Sequence, residues 1–329
     1  MAWYKVSVVI PVFMVEHFIE RCAISLFEQT LQEVEFIFVD DASEDQSIER
    51  LKYCISQYPN RKDHIRILRH ESNMGLPTAR NYGLSVASGQ YVFHCDSDDF
   101  VEPEMLEHLY NKAIETNADI VWCDWFLSFK NTERCMSQKH KSTPEDFLRG
   151  MLSGKLKYNV WNKLIRRDLY VQNKISFPDG HPLGEDMTMV RLAVCARSVA
   201  YVPCAFYHYV KLNSNSYTKN LSAMYLRDIQ YNANETINFV LSHCKSSFML
   251  DEINFFKLDV KFPFLISNKD SDYAIWEEWY PEANAYILKN KNVSLRRRLL
   301  QFMAWKKHFW FVRTYYYFVV KIIYGVFYR

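Results

Sequence analysis

Tyr91-Val-Phe-His-Cys-Asp-Ser-Asp-Asp99 is a short apolar run that ends in three carboxylates within four residues. Its first five residues have the composition of a buried strand, and the acids that follow cannot extend it. Two similar runs precede it. Phe36-Ile-Phe-Val39 is closed by Asp40-Asp41-Ala-Ser43, and Lys5-Val-Ser-Val-Val-Ile10 is stopped by Pro11. Ile65-Arg-Ile-Leu68 reads as a further strand. Between the strands, apolar residues recur at helical spacing: Phe18, Cys22 and Leu26; Ile48, Leu51 and Ile55; Ala79, Leu84 and Ala87. Pro77 suits a first helical turn and Gly89 a stop signal. A helix is expected from about Pro103 to Asn117, then a strand at Ile120-Val-Trp-Cys123. This alternation predicts an α/β fold with a mostly parallel, Rossmann-like sheet and helices on both faces. In such sheets ligands bind beyond the carboxyl ends of the strands, and both acidic clusters fall there.

The whole chain has 329 residues, 49% of them apolar, enough for a substantial core; disorder, collagen and coiled coil are excluded as main architectures. The eight cysteines include no Cys-x-x-Cys, which predicts reduced thiols in a cytoplasmic protein rather than a zinc site or a disulfide framework. The strand-like start at Lys5 does not read as a secretory leader. After residue 140 the alternation fades. Thr143-Pro144-Glu145-Asp146 reads as a helix start. Pro178-Asp-Gly-His-Pro-Leu-Gly-Glu-Asp186 is a turn-rich loop that delivers two carboxylates to a helix expected over 187–196. Residues 198–210 read as two short strands broken at Pro203, and beyond about 220 the pattern is helical.

Three carboxylates on one short turn repel one another unless a cation or hydrogen-bond donors compensate. Hard divalent ions prefer such oxygen ligands, usually one or two carboxylates plus substrate phosphates. For the tetrapeptide alone, a solvated turn with capping aspartates is the alternative.

Val-Val-Ile-Pro-Val-Phe13, Arg21-Cys22-Ala-Ile-Ser-Leu26, Gln29-Thr30, Val39-Asp-Asp-Ala-Ser43, Asn73-Met-Gly-Leu-Pro-Thr-Ala-Arg-Asn81 and Asp96-Ser-Asp-Asp99 occur in this order. Together they resemble the nucleotide-sugar half of glycosyltransferase family 2, inverting enzymes of the GT-A fold. Val160-Trp-Asn-Lys163, Phe177-Pro178 and Gly184-Glu-Asp186 resemble the acceptor-side half of bacterial members. The resemblance implies three segments: a nucleotide-sugar half over 1–125, an acceptor half over 126–220, and a helical extension over 221–329. It implies that Pro11, Phe13 and Glu16 line the base and ribose pocket, with Asn73 and Ser97 also on the donor. Relatives commonly carry Tyr-Asn where this chain has Phe13-Met14, so base stacking carries over and the polar contact does not. Asp40 would accept a hydrogen bond from the base, a fit for a uracil or thymine imide, and Arg80 would approach from the opposite wall. Asp98 would be the principal ligand of Mn²⁺ or Mg²⁺, with Asp96 near both metal and ribose. Asp186 would be the general base and Glu185 the fallback. Trp161, Asn162 and Lys163 could form the acceptor floor, and His208 and Lys211 could cover the donor diphosphate. Trp161 as core and His208 as a packed strand histidine are the alternatives. The expected reaction is transfer of a sugar from a nucleoside-diphosphate donor, UDP-sugars favoured, to a glycan or lipid-linked hydroxyl.

The formal net charge of +2 is an average of two regions. All ten charged residues after Glu282 are basic, which leaves 30 basic against 38 acidic before it, a balance of −8. Phe309 to Tyr328 holds ten aromatics in twenty residues. Arg313 and Lys321 argue against a spanning helix and for one lying among anionic headgroups on the cytoplasmic face of a membrane. Packing of these aromatics on the enzyme body is the alternative. Nucleic acid is not an expected partner, because no recognition fold accompanies the charge. Two other functions compete. A sugar-nucleotide nucleotidyltransferase needs a glycine-rich phosphate loop, and Ile10-Pro-Val-Phe-Met14 has no glycine. A non-catalytic carbohydrate-binding scaffold would not need every expected carboxylate.

Overall fold

Strands β1 (Val6–Val12), β2 (Val34–Asp40) and β4 (Tyr91–His94) are buried along their whole lengths. Runs without polar alternation are what a sheet covered on both faces requires. The computed structural model describes residues 4–138, 143–211, 223–244 and 249–319. The chain divides into two compact units, residues 1–147 with 158–236, and residues 148–157 with 237–329. The first unit therefore runs past the sequence-expected boundary at 220 and takes in the start of α8 (Ala223–His243).

In the first unit β1 lies between β2 and β4, parallel to both, and β3 (Ile65–Arg69) extends the parallel set from β2. Helices α1 (Ile19–Phe27), α2 (Ser47–Gln57) and α4 (Met105–Thr116) share one core with Val8, Ile10, Phe36 and Phe38. Each such apolar side chain, fully buried, contributes roughly 1.5–3 kcal/mol. Helix α3 (Leu76–Val86) covers the opposite face, where a Cβ on Gly83 would lie 2.5 Å from a Val9 methyl and 3.3 Å from one of Val39. Only glycine allows that approach.

Beyond β4 the sheet departs from the expected parallel order. β8 (Lys163–Arg166) inserts antiparallel between β4 and β6 (Ile120–Ser128). β9 (Val199–Val210) runs parallel to β6, and the two-residue β5 (Phe100–Val101) closes the edge antiparallel to β9. β7 (Glu133–Met136) pairs with β6 alone. β8 escapes the periodicity argument because four residues leave almost no pattern. The expected break at Pro203 is absent: β9 is one strand. A register slip opposite Cys123–Trp125 absorbs the proline as a bulge.

Helices α5 (Pro144–Leu152), α6 (Arg167–Asn173) and α7 (Thr188–Cys195) follow the first half. The Thr143 hydroxyl caps α5 by accepting from the Asp146 amide at 3.1 Å. The second unit is helical, as expected, with α9 (Leu250–Lys261), α10 (Asp270–Glu278), α11 (Leu295–Trp305) and α12 (Phe309–Tyr315). At its centre the buried Lys261 ammonium donates to the carbonyls of Trp276, Trp279 and Tyr280 and to Asn284 Oδ1, at 2.8–3.2 Å. All eight cysteines are free thiols. No helix among the described residues is long and apolar enough to cross a membrane.

Candidate active site

The carboxyl ends of β1, β2 and β4 bring Phe13, Asp40 and Asp96 to one edge of the sheet. Asp40 is fully buried. Its Oδ1 accepts from the Ser43 amide at 2.8 Å, while Oδ2 lies 3.4 Å from Arg69 without a hydrogen bond. The neighbouring Asp41 is spent on structure: it accepts from the Met74 and Gly75 amides at 2.8 Å and meets His70 Nδ1 at 2.7 Å. That brace shapes the loop that carries the exposed Asn73. Pro11 is buried within β1 and Phe13 beyond it is exposed. Glu16 is turned to the protein, where Oε2 accepts from the Gln46 amide at 3.0 Å.

Arg80 on α3 is buried, yet its guanidinium bridges both acidic clusters. Nη2 donates to Asp96 at 2.8 Å, and Nη1 donates to Glu185 at 3.0 Å and lies 3.8 Å from Asp186. One cation thus faces three carboxylates. Withdrawal from water pushes the Glu185 carboxyl up to about 8, with Asp186 adding to the effect and Arg80 opposing it. Asp186 is raised as well, again by burial and again against Arg80.

The loop that presents them is held from two sides. Asn81, next to Arg80, exchanges hydrogen bonds with the backbone of Phe177 at 2.8 and 2.9 Å. Asn232 on α8 donates to the carbonyls of His181 and Leu183 at 3.0 and 2.8 Å. Gly184 turns the chain at φ +89°, and a Cβ there would press on Ile229 and Met187 at 3.1–3.2 Å. A short 3₁₀ turn over Glu185–Met187 then enters α7, and Asp186 Oδ1 accepts from the Val160 amide at 3.2 Å. Asn81 stood inside a quoted motif without a role. Asn232 carried no sequence signal, because its partners lie some fifty residues away.

On the acidic turn, Ser97 and Asp99 are buried. Asp99 accepts from the Tyr207 hydroxyl and the Val210 amide, both at 2.7 Å, and so ties the turn to β9. Burial and the charges of Asp98 and Asp96 hold its carboxyl well above the usual range. This surplus of negative charge fits a cation. Among the described residues, no three His, Cys, Asp or Glu side chains form a protein-only metal cage. Asp98 and Asp96 offer carboxylate oxygens, the donor type that a hard divalent ion takes.

Four of the expected contact residues, Trp161, Asn162, Lys163 and His208, are buried. Trp161 belongs to the core, stacked on Tyr207 and Tyr209 with ring centroids 4.5 and 5.3 Å apart. Asn162 is buried and donates to the Cys123 carbonyl at 2.8 Å. Lys163 is also buried and donates to the Asn159 carbonyl and to Asn162, and burial lowers its pKa to about 7. All three side chains are buried. His208 is a packed strand histidine, stacked between Phe100 and Phe126, with its ring nitrogens 2.8 Å from Glu102 and Glu133. Lys211 lies over the Tyr209 ring at 3.9 Å, and its amide donates to the Ser128 carbonyl.

The glycosyl transferase family 2 model matches residues 7–181, more than half of the chain. The chain belongs to glycosyltransferase family 2. EpsH of Bacillus subtilis, named as a glycosyltransferase, is 31% identical over 62% of this chain, and the match spans only 60% of that relative's length. The cholesterol galactosyltransferase of Borreliella burgdorferi is 29% identical over 88% of this chain and 84% of that protein. Among solved structures, S. aureus TarS 1-349 in complex with UDP-GlcNAc matches with a TM-score of 0.70 at 21% identity, covering 95% of this chain and 90% of that one. The fold is thus GT-A with a helical extension, and the family fixes the class of enzyme as a glycosyltransferase.

Proposed function

We propose that this glycosyltransferase is inverting and metal-dependent. It moves a hexosyl or hexosaminyl group from a nucleoside-diphosphate sugar, UDP-sugars favoured, to a hydroxyl of a glycan or lipid-linked acceptor. The carrying observation is the convergence of Asp96 and Glu185, from two separate acidic clusters, on the buried Arg80. In this reading the base stacks on Phe13 and its imide N–H donates to Asp40 Oδ2, the buried oxygen that faces Arg69 at 3.4 Å without a hydrogen bond. Such an orphan acceptor is costly unless a ligand completes it. The ribose and diphosphate lie along Asp96, Ser97 and Asn73. Asp98 and Asp96 would hold Mn²⁺ or Mg²⁺, which would supply positive charge against the departing diphosphate. On the other face Asp186 takes the acceptor proton as the hydroxyl oxygen bonds to C1. The bond from C1 to the diphosphate oxygen breaks, the electron pair leaves with the nucleotide, and the anomeric centre inverts. Arg80 keeps the two acidic clusters in one arrangement, and Glu185 is the fallback base.

The UDP-GlcNAc bound by the TarS structure supports a uridine donor, and the sterol acceptor of the Borreliella relative supports a lipid-linked hydroxyl. Cell-surface polysaccharide or glycolipid synthesis, at the cytoplasmic face of a membrane, is the setting we assign. Thermal unfolding against a panel of uridine, guanosine and thymidine diphosphate sugars, with and without Mn²⁺, tests the donor. A Mn²⁺-dependent rise in Tm with a UDP-sugar is expected; no rise with any nucleotide sugar overturns the proposal.

A further inference from the structure

Helices α11 and α12 belong to the second unit and serve two purposes on different faces. Inward, Leu300, Ala304 and Val312 are buried, and Phe309 stacks on Tyr273 with ring centroids 4.8 Å apart. Arg297 pairs with the little-exposed Asp259 at 2.6 Å and Arg313 with the exposed Asp270, so both cations already have a carboxylate partner. Outward, Leu295 is 73% exposed, Leu299 45%, Trp310 65% and Phe318 63%. Leu295 and Leu299 are four residues apart on one face of α11, Trp310 is on α12, and Phe318 is in the π-helical turn that continues α12. Around them Lys291, Arg296 and Lys306 are exposed and have no carboxylate partner among the described residues. Arg296 lies over the Tyr315 ring at 5.7 Å and Lys306 over the Trp305 ring at 4.6 Å. Exposed Leu, Trp and Phe beside cations without a carboxylate, in a segment without a single acid, complement an apolar layer beneath an anionic one.

We infer that the outer faces of α11 and α12 form a monotopic docking surface for a bilayer rich in anionic lipid. Leu295, Leu299, Trp310 and Phe318 enter the headgroup–acyl boundary, and Lys291, Arg296 and Lys306 meet lipid phosphates. This names the partner surface behind the membrane setting proposed above and is read without donor or acceptor, so either idea can fail alone.

The test is co-sedimentation of the full chain with vesicles of phosphatidylcholine alone or mixed with phosphatidylglycerol, together with tryptophan emission. Binding and a blue shift are expected only with the anionic vesicles. The triple variant Lys291→Glu, Arg296→Glu, Lys306→Glu should weaken binding about 100-fold, since each cation near the surface contributes roughly a factor of five. Leu295→Ser with Trp310→Ser should abolish the blue shift with helicity unchanged. Charge reversal of Lys52, Lys62 and Lys174, exposed in the first unit, should change nothing. Equal binding to both vesicle types, equal loss in the control triple, or a wild-type dimer that the α11 variants dissolve would each overturn the inference.

Discussion

Arg80 is one guanidinium placed among Asp96, Glu185 and Asp186, and the chemistry at residue scale turns on that imbalance. A base that must be ionised, in a pair whose carboxyls are both raised, should give a kcat profile whose acid limb lies above the ordinary carboxylate range. Arg80 lowers both values, so Arg80→Met should move that limb to higher pH; an unmoved limb in the folded variant would separate Arg80 from the base. Asp186→Asn should bind donor normally and lose about 10²–10⁴-fold in kcat, the range for general-base catalysis. Full turnover by that variant would sink the assignment. The placement of acids at the carboxyl ends of β2 and β4 was legible in the sequence, because they follow apolar strands directly; their meeting with Glu185 at Arg80 was not. Also hidden was division of labour within each pair. Asp40 and Asp41 look equivalent on paper, but Asp40 keeps a buried oxygen without a hydrogen bond, whereas Asp41 is consumed by the Met74 and Gly75 amides.

At the scale of elements, α3 and α8 do the positioning. α3 lies against the sheet through Gly83, so Gly83→Ala should force Val9 and Val39 apart and destabilise the fold by about 1–3 kcal/mol, read as a lower denaturant midpoint. An unchanged midpoint would mean that α3 relaxes without cost. On α8, Asn232→Ala frees the His181 and Leu183 carbonyls and should loosen the base loop. The expected signature is a lower kcat with the donor KM preserved, and a purely structural role would instead lower Tm alone. The parallel half of the sheet was readable because β1, β2 and β4 carry continuous apolar runs. β8 and the bulged β9 were not, since four residues give no period and Pro203 imitates a strand end that pairing with β6 overrides. His208 likewise could be weighed only once Phe100 and Phe126 were found on either side of it.

For the molecule as a whole, the split between an acidic body and a basic end was plain from composition, while the use of each cation was not. Arg297 and Arg313 pair with carboxylates of the second unit, whereas Arg296 and Lys306 stay exposed. Lys321 and Arg329, part of the same sequence argument, lie outside the described residues. The central claim concerns the first unit: a nucleoside diphosphate is held there through a divalent ion on Asp98. Calorimetric titration of UDP into the full chain, with Mn²⁺ and then with chelator, tests it most directly. Binding that needs Mn²⁺, disappears in Asp98→Ala and survives in Asp186→Asn is the predicted result. UDP binding that is equal with chelator, or equal in Asp98→Ala, would contradict it.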